Sequence, residues 1–388
     1  MDRPVSTCVK NKPQKSTISC EVFLSPDRTW LQHAWQSLEE RCHPVFFLSW
    51  HWIGCWLDCF VRHFYVIEAR IEGRTVGLGV IVSPQGRPSR FHFAKQYYLH
   101  RTGDDSLDQI WIEYNDFLLE PAVADAVREK MLATLMAEVV GDGVLSVGAC
   151  YRDTFTCATP DLDRHQIWAT SAYSVDFTAY RAKGLTPSQA LSRSARYQIR
   201  RSLREYESLG PLTVTQALTV KDALCFFELA RPLHIKRWGS QPGQSGFVND
   251  GFRQFHQTLI SRGIEDGSVA IYKVMAGQTL ISVMYNFHWQ NQVYFYLCAL
   301  NYEIEGCHSK PGLVSHYLLI NDAFEQGFDG YDFMGGFSRY KKTFANHETE
   351  LAIYHIRQNR LRVRLEHTLR AIKQQFVTDE QSSASHPD

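Results

Sequence analysis

The amino-acid sequence predicts an α+β protein with two domains of related plan. Its 388 residues are too many for one typical hydrophobic core and suit two. Helical and strand patterns alternate along most of the chain, and one order of elements occurs twice: helices, an antiparallel hairpin, a crossover helix and a strand. We therefore expect mixed, mostly antiparallel sheets flanked by helices.

The first of the two predicted domains follows a polar N-terminal stretch. Residues 1–20 are polar and are predicted to form a disordered tail, and the first domain is expected to span residues 21–175. Helices are predicted near residues 28–41, 49–62 and 121–140, and strands near residues 64–71, 75–82, 111–119 and 143–149. Ser49 is placed to cap the second helix, in which Trp52, Trp56 and Phe60 recur every four residues.

The second half repeats the order of elements. We expect the second domain to span residues 176–365, with residues 366–388 forming the end of a helix and a disordered tail. Helices are predicted near residues 186–208, 219–233, 251–262 and 311–326, and strands near residues 268–275, 279–288, 291–300, 330–334 and 350–357. A hairpin centred on Ala276-Gly277-Gln278 matches one at Glu72-Gly73-Arg74 in the first half.

The composition excludes several classes of protein. Lys plus Arg and Asp plus Glu both number 41, so the net charge is zero and argues against a DNA partner. We expect no signal peptide and no membrane span, because the most apolar run, residues 45–61, is interrupted by His51 and Asp58. The 10 cysteines have irregular spacings without a CxxC pair, which favours free thiols in a reducing cytoplasm. No metal or nicotinamide motif occurs, so neither cofactor is expected.

The turn before the predicted helix 311–326 has features of an anion site. Pro311 suits a first helical turn, Gly312 has no side chain to block close approach, and Lys310 adds a cation. The first N–H groups of a helix carry a partial positive charge that stabilises a phosphate or pyrophosphate. A plain capped helix is the structural alternative.

Four stretches together resemble a known family of enzymes. They are LSRSARYQIRRSLREYESLG, LHIKRWGSQPGQSGF, HSKPGL and FDGYDFMGGFSRYKKTFA. In order and spacing they are similar to the tandem GNAT acyltransferases of the CelD-like group, which is associated with cellulose and exopolysaccharide loci and related to the Fem aminoacyl transferases. The resemblance covers roughly residues 30–350, and YNDFL matches its first half.

The resemblance implies a donor site and a reaction. In the GNAT fold the turn after the fourth strand binds the pyrophosphate of coenzyme A, and the pantetheine arm lies between the splayed fourth and fifth strands. Residues Ser309, Lys310, Pro311, Gly312 and Leu313 stand at that turn here. The chain departs from the group's pattern in the extra Lys310, and in Phe337-Ser338 where the group often carries an acidic residue.

Acyl transfer to an amine or a hydroxyl needs a base. Asp332 faces opposite to Tyr331 and Phe333 on its predicted strand, and His234 lies between a helix and a Gly-rich loop, so both are candidates. Tyr340 is a candidate proton donor to the departing thiolate. Each has a structural alternative: a partnered carboxylate, a satisfied histidine and a packed ring. Asp116 in YNDFL is most simply structural.

Four further cationic or aromatic features are candidates for substrate binding. Arg237, Trp238 and Lys341 are predicted to contact the substrate. The helix with Arg193, Arg196, Arg200 and Arg204 on one face is either a basic wall for an anion or a solvated surface.

Three functions remain open from the sequence. The leading one is an acyltransferase that takes its acyl group from acyl-CoA and gives it to a sugar, polysaccharide precursor or small amine. The second is a Fem-type transferase that uses aminoacyl-tRNA, against which the neutral charge argues weakly. The third is a non-catalytic scaffold of an exopolysaccharide system.

Overall fold

A computed structural model describes residues 17–83, 94–155, 162–304, 306 and 308–359. The strands of these residues are β1 (Ile18–Leu24), β2 (Tyr65–Ile71), β3 (Arg74–Val82), β4 (Gln96–Leu99), β5 (Leu118–Leu119), β6 (Val144–Tyr151), β7 (Leu162–Asp176), β8 (Leu212–Gln216), β9 (Val269–Ala276), β10 (Thr279–Trp289), β11 (Gln292–Leu300), β12 (Gly330–Gly335) and β13 (His347–Gln358). The predicted C-terminal segment 366–388 and most of the predicted N-terminal tail lie outside the described residues.

Ten α-helices accompany these strands in the described part of the chain. They are α1 (Arg28–Cys42), α2 (Trp50–Phe60), α3 (Ala124–Leu135), α4 (Phe177–Ala182), α5 (Pro187–Ala190), α6 (Arg193–Glu207), α7 (Val220–Trp238), α8 (Asp250–Gly263), α9 (Pro311–Glu325) and α10 (Arg339–Phe344). Single turns of 3₁₀-helix occur at Phe46–Leu48, Leu107–Ile110, Pro121–Val123 and Gly246–Val248, and a π-helical turn follows α3 at Met136–Val140.

The strands form one continuous mixed sheet. Its order is β1-β2-β3-β4-β6-β13-β7-β12-β11-β10-β9-β8, with β5 beside β3. The pairs β4–β6 and β11–β12 are parallel, and the other pairs are antiparallel. The predicted α+β fold with mixed, mostly antiparallel strands is therefore confirmed.

The strand order is the same from both edges of the sheet. The first half of the chain (β1–β7) contributes β1-β2-β3-β4-β6, and the second half (β8–β13) contributes β8-β9-β10-β11-β12. The final strand of each half lies beside the other half, since β7 pairs with β12 and β13 pairs with β6. Because β7 and β13 also pair with each other, the two halves share one sheet.

Helices cover both faces of this sheet. One core joins the two halves, since α1 and α2 pack with α7 and α8 over the side chains of Val80, Val283 and Tyr285. On the opposite face each half has its own core, with α3 over the first half and α6 and α9 over the second. The entry helix α2 is buried and capped by Ser49, which accepts a hydrogen bond from the Trp52 N–H at 3.4 Å, as predicted.

Some elements differ from the predictions. Residues 111–119, predicted as a strand, are irregular up to the two-residue strand β5, and β1 begins at Ile18 within the predicted tail. The predicted helix 186–208 is broken into α5 and α6, because Ser192 accepts a hydrogen bond from the Ala195 N–H and starts a new helix. Helix α7 continues past Pro232 to Trp238, five residues beyond its predicted end.

Candidate active site

The parallel strands β11 and β12 separate after three residue pairs. Their pairing extends from Gln292–Gly330 to Tyr294–Asp332. An irregularity in β12 follows between Asp332 and Gly335, where Met334 has a left-handed backbone with φ of 61°. The separated strands border a cavity of about 360 Å³, which is lined by Gln109, Trp111, Glu113, His234, Trp238, Gln244, Gly246, Phe252, Phe295, Tyr296, Leu297, Phe333, Met334, Gly335 and Lys341. Both halves of the chain contribute to this lining.

Glu113 is a buried carboxyl in the wall of the cavity. It accepts hydrogen bonds from the Gly335 N–H at 2.7 Å and from the Trp111 indole N–H at 2.9 Å. Burial raises the pKa of Glu113 to about 7, against the opposing effects of these hydrogen bonds and of Lys341. A carboxyl with its pKa raised into this range suits a group that takes up and releases a proton near neutral pH.

Lys341 is a buried ammonium in the same wall. Its Nζ donates hydrogen bonds to the Gly335 carbonyl at 2.5 Å and to the Met334 carbonyl at 3.4 Å. Burial lowers the pKa of Lys341, while Glu113 and Asp332 oppose the shift. Only Phe337 and the N-cap Ser338 separate the Gly335-Gly336 turn from α10, so the first turn of this helix lies close to the end of β12.

His234 and Trp238 line the cavity from α7. The Nδ1 atom of His234 lies 2.7 Å from the Ser245 hydroxyl oxygen, and burial lowers the pKa of His234 to about 4. The imidazole is therefore neutral at pH 7. Trp238 is 56% exposed and ends the helix. Both residues belong to the last turn of α7, so the extension of this helix beyond the predicted end puts them at the cavity.

Asp332 lies at the point where β11 and β12 separate. It accepts hydrogen bonds from the Tyr114 hydroxyl at 2.9 Å and from the Met334 N–H at 2.6 Å. Burial raises the pKa of Asp332 to about 6. Asp332 is not among the residues that line the cavity, but Tyr114 connects it to the segment that carries Glu113.

Tyr340 and Arg237 lie beside the cavity and do not line it. The Tyr340 ring stacks on His316 with ring centres 4.7 Å apart, and burial raises the pKa of its phenol. The Arg237 guanidinium is exposed and lies 5.4 Å from the ring centre of Tyr302 and 5.7 Å from that of Trp238.

The predicted donor turn lies at the start of α9. Pro311 is the first helical residue, and the Val314 N–H donates to the Lys310 carbonyl at 3.1 Å. The N–H groups of Gly312 and Leu313 come before this bond and have no partner within the helix. A Cβ atom at Gly312 would lie 3.0 Å from the Leu300 side chain, so the turn is adjacent to the end of β11.

Helix α6 packs against this turn. The Ser309 hydroxyl oxygen lies 2.8 Å from that of Tyr206, and the Lys310 ammonium donates to the Gln198 side-chain oxygen at 2.8 Å. Along β11, Leu297 at the cavity and Leu300 at the turn are three residues apart, which is about 10 Å of strand. The turn and the cavity therefore lie at two places along one strand.

Sequence reasoning missed Glu113 and Tyr114. It predicted residues 111–119 as a strand and took notice of Asp116, whose carboxylate is bonded to the Arg128 guanidinium at 2.7 and 3.0 Å and is structural. The available signal was a single carboxylate between Ile112 and Tyr114 in an aromatic stretch. Such a carboxylate is costly to bury unless it has partners or a chemical role.

The described ranges contain neither a cluster of metal ligands nor a membrane-spanning helix. No group of three His, Cys, Asp or Glu side chains there could hold a metal ion. None of the helices seen in these ranges has the length and apolar character needed to cross a membrane.

Comparison with known proteins supports the fold and the type of reaction. Residues 193–342 match the family model of the acetyltransferase (GNAT) domain, which covers fewer than half of the 388 residues. No curated protein sequence matches the chain.

Several solved structures have the same fold at low sequence identity. FemX has 11% identity and a TM-score of 0.54, with 86% of this chain and 96% of that chain covered. The C-terminal domain of a putative lysylphosphatidylglycerol synthetase from Agrobacterium fabrum has 9% identity and a TM-score of 0.53, with 85% and 92% covered. L-PGS from Bacillus licheniformis has 12% identity and a TM-score of 0.51, with 87% and 95% covered. The family match and the fold support an acyltransferase of GNAT type, as the sequence predicted.

Proposed function

We propose that the protein transfers an acyl group from acyl-CoA to a nitrogen or oxygen atom of an acceptor. One observation carries the proposal: the cavity between β11 and β12 brings Glu113, His234 and Lys341 together beside the strand that leads to the start of α9. A buried acid or a neutral imidazole can serve as the base in acyl transfer, and a buried cation can stabilise the negative charge that develops on the thioester oxygen.

The donor would lie along β11. Its pyrophosphate would accept hydrogen bonds from the N–H groups of Gly312 and Leu313, with Ser309, Lys310 and Pro311 shaping the turn. Its pantetheine arm would follow the strand past Leu300 to Leu297, which brings the thioester to the cavity. No metal ion is needed for this reaction.

The acceptor must lose a proton. An amine with an ordinary pKa of about 10.4 costs roughly 4–5 kcal/mol to deprotonate at pH 7, and a positioned base contributes about 10²–10⁴-fold in rate. We rank Glu113 first as this base, because it lines the cavity and its pKa of about 7 is near the working pH. His234 also lines the cavity, and Asp332 is connected to it through Tyr114, so both stay candidates.

Other side chains have proposed roles in the same reaction. Lys341 would stabilise the negative charge that develops on the thioester oxygen, since its ammonium lines the cavity. Tyr340 stays the proposed proton donor to the departing thiolate, because burial keeps its phenol protonated. Trp238 at the mouth of the cavity and Arg237 beside it would contact the acceptor.

A Fem-type reaction with aminoacyl-tRNA is the second candidate. The likeness to FemX in fold favours it, as do the exposed side chains of Arg193, Arg200 and Arg204 on α6 beside the donor turn. A non-catalytic scaffold is the third, and the buried charged groups of the cavity argue against it, since a scaffold would have no need to bury them.

The biological setting is proposed on the same basis. The acceptor would be a sugar, a polysaccharide precursor or a small amine, as in the CelD-like group. The seven described cysteines are free, which supports a cytoplasmic location. The division into domains between residues 175 and 176 also stays a proposal. In the sheet, β7 lies beside the strands of the second half and β13 lies beside those of the first.

The donor site is tested by titrating coenzyme A into wild type, Gly312→Val and Gly312→Ala in a calorimeter. The branched valine should obstruct the backbone N–H groups and lower the affinity at least tenfold, about 1.4 kcal/mol. Alanine is the matched control. Its Cβ atom contacts only the movable end of Leu300, so we expect affinity within threefold of wild type.

Melting curves of all three proteins control for folding. If Gly312→Val binds as well as wild type, the turn is only the start of a helix. If wild type binds no coenzyme A at millimolar concentration but binds uncharged tRNA, the Fem-type reaction replaces the acyl-CoA reaction. Binding of neither ligand favours the scaffold.

A further inference from the structure

The first half of the chain contains a slot equivalent to the cavity. Strands β4 and β6 are parallel and pair only from Gln96–Val144 to Tyr98–Ser146, as β11 and β12 pair over three residues. Beyond Ser146 the chain itself fills the space between them. The residue that occupies this space is Asn115, which is fully buried.

Asn115 makes hydrogen bonds to both separated strands. Its side-chain amide donates to the Leu99 carbonyl at 2.8 Å and to the Gly148 carbonyl at 3.1 Å, and its backbone N–H donates to the Ala149 carbonyl at 2.8 Å. These bonds replace the ladder that the two strands no longer form with each other. The slot of the first half is therefore closed by the protein.

His100 fixes the orientation of the Asn115 amide. The His100 Nε2 atom accepts a hydrogen bond from the Val80 N–H at 3.0 Å, so the proton of the neutral ring is on Nδ1. That Nδ1–H donates to the Asn115 side-chain oxygen at 2.9 Å. Every polar atom of the Asn115 side chain thus has a defined partner, and a rotated amide would lose all three bonds.

The residues just before Asn115 form part of the other half's cavity. Trp111 and Tyr114 have left-handed backbones, with φ of 50° and 55°, so the segment makes two sharp bends. These bends direct Glu113 to the Gly335 N–H and Tyr114 to Asp332, both on β12. One segment thus closes the first slot and forms a wall of the second.

We propose that Asn115, oriented by His100, is a positioning residue that holds Glu113 and Tyr114 against β12. Asn115 anchors the segment in the closed slot of the first half. This anchorage places Glu113 and Tyr114 beside β12, at the open slot of the second half. A consequence, which rests on the proposed function, is that each chain binds one acyl-CoA.

The position of Glu113 can be measured without an assay of activity. In protein labelled with ¹³C at the glutamate carboxyls, the resonance that is absent from Glu113→Gln identifies Glu113, and we expect its midpoint near pH 7. In Asn115→Ala and in Asn115→Leu, which is similar in shape and adds no charge, the midpoint should fall by at least one pH unit, because a released Glu113 becomes solvated. The other charged or titratable groups around Glu113 and the cavity are Lys341, Asp332, His234, Tyr114 and Tyr296, and they stay unchanged in both variants.

Thr134→Val is the matched control. Thr134 is a buried polar residue of α3 in the same half, on the face of the sheet away from α2, and its loss should leave the Glu113 midpoint within 0.3 units of wild type, about 0.4 kcal/mol. An unchanged midpoint in both Asn115 variants would overturn the positioning role. So would loss of the folded state in both, since Asn115 would then serve stability alone.

Titration with coenzyme A tests the closed slot separately. Wild type should bind one equivalent, and Gly312→Val should bind at least tenfold more weakly. Two equivalents in wild type, one of which Gly312→Val still binds with wild-type affinity, would overturn closure of the first slot. No binding at all would contradict the proposed acyl-CoA reaction, while the Glu113 midpoint would still decide the role of Asn115.

Discussion

Glu113 is the residue whose charge state most directly links the site to stability. Its pKa in the folded protein is about 7, above the ordinary value for a glutamate, so the folded state holds a proton that the unfolded state releases. The stability that this proton contributes is present at pH 4 and is lost as the pH rises through 7. Glu113→Gln keeps a neutral side chain at every pH. We expect the variant to gain at least about 1 kcal/mol relative to wild type between pH 5 and pH 8.

Urea unfolding at pH 5 and pH 8 measures this gain. The exposed Glu207→Gln is the control, and it should change stability by less than about 0.5 kcal/mol at either pH. A Glu113→Gln variant whose stability relative to wild type is the same at both pH values would mean that the carboxyl is ionised in the folded protein throughout this range.

The candidate residues differ in how far the sequence could predict them. Alternation along a strand was enough to orient Asp332 away from Tyr331 and Phe333, because neighbours on a strand face opposite ways. The burial of Glu113 depends instead on the Gly335 N–H, 222 residues further along the chain. No local pattern carries that contact, so only the folded chain reveals it.

The start of α9 is the element on which donor binding depends. Lys310 is exposed and adds a cation beside the first N–H groups of the helix. In Lys310→Glu a carboxylate would lie close to the pyrophosphate, and we expect coenzyme A affinity to fall about five- to thirtyfold, roughly 1–2 kcal/mol. Calorimetric titration at two salt concentrations measures the effect, which should be smaller at the higher one because ions screen exposed charges.

Lys183→Glu is the matched control for this variant. Lys183 is an exposed lysine that follows α4, outside the donor turn, and the same change of charge there should alter the affinity less than twofold. Equal effects of the two substitutions would attribute the loss to the net charge of the protein, and the turn would have no special role.

Elements were predicted best where their limits are set by neighbouring residues. The Ser49 cap and Pro311 set the starts of α2 and α9, and both starts were predicted to within one residue. The capping role of Ser192 also acts locally, through the Ala195 N–H, yet it was overlooked within an apparently continuous helical pattern. Residues 111–117 resemble a strand in composition, but Asn115 uses its hydrogen bonds to join two other strands.

The sheet as a whole combines what the sequence could and could not predict. The order of elements in each half was sufficient to predict two related halves with hairpins and crossover helices. The last strand of each half lies beside the other half, with β7 next to β12 and β13 next to β6. This exchange of β7 and β13 was not predictable, because it pairs strands that are distant in the chain and equally able to pair elsewhere. This exchange makes one continuous sheet of two halves, so we expect the protein to unfold as a unit.

Unfolding as a unit makes the acid stability of the whole protein depend on all of its buried titratable groups together. Burial lowers the pKa of five described histidines to about 3 or 4: His100, His234, His256, His288 and His316. Each takes up a proton on unfolding at any pH between its folded value and the ordinary 6.5. Burial also raises the pKa of four carboxyls, to about 7 in Glu39 and Glu113, to about 6 in Asp332, and upwards in Asp116, and these release protons on unfolding.

Five histidines outnumber four carboxyls, so unfolding near pH 5.5 should take up a net of about one to two protons. Stability falls with falling pH wherever the unfolded state binds more protons, by about 1.4 kcal/mol per proton and pH unit. We therefore expect the free energy of unfolding to drop by about 1–3 kcal/mol from pH 6 to pH 5, measured from urea transitions. Calorimetric unfolding in buffers of different ionisation enthalpy counts the protons independently.

A constant or rising stability over this interval would mean that the histidines are charged in the fold. That is difficult to reconcile with His256, which is enclosed by Trp52, Tyr285 and Tyr296 and has no carboxylate beside it in the described part of the chain.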